Sequence, residues 1–325
     1  MINKKDSILL LVKSSAGELD WILPVLFKLS KKHNVYTHFK SINAYNSLKN
    51  NYELFSIWKK INKKFFIENS YKNFIYKIIR KLFISFHINK RSSMMIFLDE
   101  KIHNINDLKN FFFKNKDKKN FFKFVFSEHF YLNAWIDSLT KNKERSLVVH
   151  YPHSPFISFL KKPRKAHFRL NGDLLLLSGA KDLYRWTNYI SPKKIKSYGT
   201  PKYEQWWIEE MLKNSKLDFD KRIFLNKKNF IVTIPFKPLF EIYPKNENVL
   251  KKQLFDLMDT LLKFPKIKII FKIHPRIDSQ KLEKILEKYN NHKNRWILSK
   301  SHLYSLANIS DLFLCDVTST TILEG

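Results

Sequence analysis

The sequence predicts an α/β protein of two Rossmann-like domains, each a parallel sheet flanked by helices. Three observations carry that prediction. Short apolar runs of strand length alternate with helical patterns along the chain. Several of these runs end in polar loops, the place where open parallel sheets bind ligands. Residues 215–229 interrupt the series with a polar, lysine-rich stretch that lacks a core pattern, dividing it into domains at 1–222 and 229–325. A length of 325 residues suffices for two domains of ordinary size.

The first half opens with a strand over residues 7–12 and a tight loop of small residues, Ser14, Ser15, Ala16 and Gly17. A helix follows over 18–31, with Leu19, Ile22, Leu23, Leu26 and Leu29 at helical spacing. Further strands are expected at 35–39, 94–98, 123–126, 147–151, 174–177 and 194–198. Gly199-Thr200-Pro201 breaks the chain before an aromatic-rich helix around Trp206 and Trp207. The second half repeats the alternation: strand 230–234, helix 248–264, strand 267–273, helix 280–289, strand 295–299 and strand 312–315.

Residues 58–91 stand apart, with ten lysines and arginines against one acid, Glu68. On a helix, Phe74, Ile78, Leu82 and Phe86 align at i, i+4 spacing, with Lys72, Lys77 and Lys81 largely outside the stripe. Such a helix either lies in an anionic membrane interface, peripherally on the inner face of the cell membrane, or packs its stripe into the core.

Composition removes several function classes. The formal charge of +31 invites a nucleic-acid reading, but the lysines are dispersed and no RNA-recognition, KH or zinc-finger pattern accompanies them. Abundant lysine, asparagine, isoleucine and phenylalanine beside only five glycines fit an A+T-rich coding sequence. One cysteine, Cys315, gives no disulfide framework and suits a reducing cytoplasm. No apolar run approaches the roughly 20 residues of a membrane span, and residues 8–12 are too short for a signal peptide. The G-x-G-x-x-G, P-loop and nucleophile-elbow patterns are all missing, so no cofactor is expected.

His274, at a strand end before Pro275, can donate to a phosphate oxygen, act as acid or base, or be structural. Arg276 adds a bidentate phosphate ligand. Thr318, Ser319, Thr320 and Thr321 after the last strand offer hydroxyls and helix N–H groups to an anion, or simply cap a helix, and Glu324 lies about a turn later. His150 and His153 bracket Tyr151-Pro152; they read as base or acceptor ligands, as a metal pair short of a third ligand, or as packing. Asp218-Phe219-Asp220 matches a D-x-D metal motif but lacks a preceding apolar strand, so no metal site is expected.

Four stretches give the chain a resemblance to GT-B glycosyltransferases, and among them to the CDP-glycerol glycerophosphotransferase family and UDP-N-acetylglucosamine 2-epimerase-like proteins. They are residues 14–24, the turn 198–203, Lys272-Ile273-His274-Pro275, and 311–325 with its Ser-Asp…Asp…hydroxyl…Glu pattern. The resemblance implies transfer of a glycosyl or glycerophosphoryl group from a CDP-, UDP- or CMP-linked donor to an envelope polysaccharide or lipid-linked acceptor. It implies donor phosphates at His274, Arg276, Thr318, Ser319 and Thr320, and ribose at Glu324. It also implies a catalytic histidine from His150 or His153, and an acceptor-side loop at Ser14, Ser15, Gly17 and Glu18. The family usually has His-Gly where this chain has His153-Ser154. Such domains continue past the equivalent of Gly325, so the chain reads as a truncated C-terminal domain, a fragment that could be inactive alone. The alternatives are a sugar-nucleotide epimerase on the same fold and a non-enzymatic membrane or nucleic-acid binder.

Overall fold

The computed structural model describes residues 6–13, 15–68, 74–86, 94, 122–128, 146–151, 172–179, 186, 191–220, 226, 228–236, 247–274 and 279–315. The chain forms two compact units: Met1–Asn46 with Trp58–Lys202, and Ser47–Ile57 with Tyr203–Gly325.

The first unit is built on seven parallel strands in the order β3-β2-β1-β4-β5-β6-β7. They are β1 (Ser7–Val12), β2 (Asn34–Phe39), β3 (Asn62–Ile67), β4 (Phe122–Glu128), β5 (Leu147–Tyr151), β6 (Leu174–Leu177) and β7 (Ile195–Ser197). The central strand β1 is apolar without alternation because both of its faces are covered. Leu9, Leu11, Phe122, Val125 and Val148 form the core on one face. On the other, Thr37 and Phe39 meet helices α2 (Ile42–Lys49) and α3 (Tyr52–Ile61). There the Trp58 indole donates to the Thr37 hydroxyl at 2.9 Å, and that hydroxyl donates to Asn62 at 2.7 Å. Phe39 and Trp58 pack edge to face with each other and with Tyr45 and Phe65, which stack face to face, around this pair.

Helix α1 (Ala16–Leu29) starts in a capping box: buried Glu18 accepts from the Ser15 amide at 3.3 Å and the Lys13 amide at 2.7 Å. Its Asp20 pairs with Lys202 at 3.1 Å. Lys202 lies in the one-turn helix Pro201–Tyr203, reached through Gly199, whose φ of 81° suits glycine. Two stretches singled out in the sequence are thus tied together.

Sequence and structure part company in two places in this unit. Strand β3 occupies part of the basic segment; as a sheet edge its Lys63, Lys64 and Phe65 are exposed, so it lacks a buried alternation. Met94, taken as the start of a strand, is helical and exposed, and 95–98 lie outside the described residues.

The second unit carries the parallel sheet β10-β9-β8-β11. Its elements are α5 (Gln205–Lys213), β8 (Phe230–Phe236), α6 (Glu247–Leu261), β9 (Ile267–Ile273), α7 (Ser279–Leu286), β10 (Trp296–Ser299), α8 (Leu303–Ala307) and β11 (Leu312–Phe313). Alternation divides the strands: Val232, Ile234, Ile269, Phe271 and Trp296 face Leu254, Met258, Leu282 and Leu286 of α6 and α7. Ile231 and Ile270 face Leu306, with Leu217 and Phe219 beside them. Arg295 closes the chain after α6 by donating to the carbonyls of Leu262, Phe264 and Ile267.

Candidate functional site

The strands that lead into the two motifs of the second half, β9 and β11, run parallel in the second sheet. β9 delivers half-buried His274 at its carboxyl end. β11 leads toward the hydroxyl-rich segment, with β8 between the two. All three strands are parallel, so their carboxyl ends point the same way. Arg276, Thr318, Ser319, Thr320 and Glu324 lie outside the described residues. At this rim buried Lys272 donates to the Lys300 carbonyl at 3.0 Å; toward the amino end of β11 the Thr233 hydroxyl meets that of Ser310 at 2.6 Å.

Asp218, the first acid of the D-x-D match, has a structural task. Its carboxylate accepts from the hydroxyls of Ser299 at 2.6 Å and Ser301 at 2.8 Å and from the Lys300 amide at 2.6 Å, closing the turn after β10. Among the described residues no group of three His, Cys, Asp or Glu could hold a metal ion.

In the first unit, His150 belongs to β5 and is buried at 2 % exposure. Register aligns it in a row across the sheet with Ser127, Leu11, His38 and Phe66. Burial lowers its pKa to about 4, only partly offset by a hydrogen bond with the Ser127 backbone and the charge of Asp173. The imidazole is therefore neutral at neutral pH, and its Nδ1 has no partner among the described residues. Tyr151 points to the opposite face and stacks on Trp21 of α1, with ring centroids 5.8 Å apart. Burial and the nearby Glu18 and Glu128 push its phenol well above the usual range. His153 and Ser14 lie outside the described residues, Ser15 is the buried N-cap of α1, and Gly17 is half-buried in its first turn.

Sequence reading passed over Gly172. A Cβ there would stand 2.5 Å from Cδ2 and 2.6 Å from Nε2 of His150, and 3.0 Å from the Val148 carbonyl. The available signal was a glycine between Asn171 and Asp173 in a chain with only five. Gly172→Ala is expected to lower unfolding free energy by about 1–3 kcal/mol through overpacking. Urea denaturation checks this; an unchanged midpoint would mean that the ring is free to move.

No protein-family model matches the sequence, and no curated protein matches it. Solved structures do. The chain is similar to the UDP-GlcNAc 2-epimerase of Neisseria meningitidis bound to UDP-GlcNAc, at 13% identity and TM-score 0.55 over 97% of this chain and 78% of that one. It is similar to the UDP-GlcNAc 2-epimerase of Methanocaldococcus jannaschii, at 12% identity and TM-score 0.53 over 95% and 78%. It is also similar to Glycyrrhiza uralensis UGT73P12 complexed with glycyrrhetinic acid 3-O-monoglucuronide, at 10% identity and TM-score 0.50 over 99% and 74%. At such identities the likeness speaks for architecture alone: the fold is α/β with two Rossmann-like units of the GT-B type.

Proposed function

We propose that this protein is an enzyme acting on a nucleotide-activated substrate. On this reading it transfers a glycosyl or glycerophosphoryl group to an envelope polysaccharide or lipid-linked acceptor at the cytoplasmic face of the membrane. The observation that carries the reading is the placement of His274 and the strand leading to Thr318, Ser319 and Thr320 at one carboxyl edge of the second sheet. That edge is where open parallel sheets hold nucleotides. His274, Arg276 and the three hydroxyl residues would hold the donor phosphates, and Glu324 the ribose. These cationic and hydrogen-bonding groups would stabilise the departing nucleotide. Burial of His150 favours His153, two residues past the end of β5, as the base toward the acceptor.

A second reading, epimerisation of a UDP-sugar, has a specific observation in its favour: two of the similar solved structures are UDP-GlcNAc 2-epimerases. Thermal melts of the full chain with UDP, CDP, CMP, UDP-GlcNAc and an RNA oligomer separate the readings. Stabilisation of about 2.7 kcal/mol is expected at a hundredfold excess over Kd, and His274→Ala should abolish it while leaving the ligand-free melt nearly unchanged. CDP or CMP as the stabilising ligand favours glycerophosphoryl or related transfer. C2 inversion of UDP-GlcNAc without an acceptor would establish the epimerase. A shift with RNA alone would sink both.

A further inference from the structure

We propose that helix α4 (Phe74–Ser85), with the exposed lysines of α4, of β3 and of the end of α3, docks on the surface of an anionic lipid bilayer. The inference stands on its own surface and does not depend on the reaction proposed above. Ile78 is 42 % exposed, Leu82 51 % and Phe86, just past the helix, 74 %. Their four-residue spacing sets them in one line along the helix. The neighbouring stripe, Ile79 and Phe83, is half-buried. The helix therefore presents two apolar stripes, and only the second is turned toward protein.

Single exposed apolar residues are ordinary; a row of three on one helix is an interaction surface. Charge indicates its partner. Lys81 is exposed and flanks the row on the side away from Ile79 and Phe83, and Lys59, Lys60, Lys63 and Lys64 are exposed at the end of α3 and on β3. Within 58–91 ten basic residues face one acid, Glu68, which is itself buried beside His38 at 3.8 Å. A second copy of this face would bring like charges together. A nucleic acid would satisfy the lysines but offers no apolar layer to Leu82 and Phe86. An anionic bilayer interface offers headgroup charge and an acyl boundary in the same few ångströms. Among the described residues no helix is long and apolar enough to cross a membrane, so the helix would lie in the interface plane.

The test is co-sedimentation of the full chain with vesicles of equal parts phosphatidylcholine and phosphatidylglycerol, and with vesicles of phosphatidylcholine alone. Binding is expected to the first and to fall with added salt. Two variants probe the apolar and the basic side chains separately: Ile78→Ser with Leu82→Ser and Phe86→Ser, and Lys63→Glu with Lys64→Glu and Lys81→Glu. Each is expected to weaken binding by roughly tenfold or more. All six side chains are exposed, so the circular dichroism melt should stay near that of the wild type, and the two variants check each other should one misfold. Equal binding to both vesicle types, or full binding by both variants, would overturn the proposal.

Discussion

Lys202→Met is expected to destabilise the first unit by up to about 3–5 kcal/mol, because it takes the ammonium away from the Asp20 carboxylate in a largely dry site. The pair is 3.1 Å apart, with side-chain exposures of 7% and 18%. Coulomb attraction there offsets a desolvation penalty rather than adding much net stability, so the loss comes from breaking the pair and not from lacking it. The double change Lys202→Met with Asp20→Leu should therefore recover most of the stability lost in the single variant. Urea unfolding of the wild type, both single variants and the double variant gives the coupling directly. A double variant as weak as the sum of its parts would show that the two side chains act independently.

The second large effect is an acid instability centred on His150. Its native pKa of about 4 lies below the ordinary imidazole value of 6.5. Between those values the unfolded chain binds a proton that the native chain refuses. Stability from this group is therefore fully present above pH 6.5, falls as the pH drops, and is lost by the native pKa. The whole interval is worth about 3 kcal/mol. In His150→Leu the total change in unfolding free energy between about pH 7.5 and about pH 4.5 should be smaller than in wild type by about 2.5 kcal/mol. Carboxylates titrating in the same range affect both proteins and cancel in the difference. Parallel profiles would mean that the imidazole is protonated in the native state.

The sheet was legible in the sequence wherever burial is two-sided. Residues 7–12, 147–151, 174–177 and 267–273 are dense apolar runs, and each is a strand. Strand β3 escaped because an edge strand need not bury its side chains, and Lys63 and Lys64 read only as members of the basic segment 58–91. His274 could be placed at a strand end because Pro275 ends the run. The ion pair of Asp20 and Lys202 could not be seen, since no local pattern links residues 182 positions apart. The burial of His150 was hidden for a related reason. Its ring rests against a glycine on the next turn, and only the register of β5 beside β6 brings the two together.

The insertion of Ser47–Ile57 into the second unit bears on how the chain is made. Glu53, fully buried, accepts from the His302 amide at 3.3 Å and the Ser305 hydroxyl at 2.9 Å. A ribosome emits that carboxylate some 249 residues before its partner at 302. At typical elongation rates the delay is tens of seconds. Throughout it, Leu54 and Ile57, which end fully buried, have no finished unit to enter. The nascent protein thus carries an early apolar segment in waiting, a natural client for a holding chaperone. For the same reason, a recombinant piece beginning at Tyr203 would lack the segment that covers its own buried amide and hydroxyl.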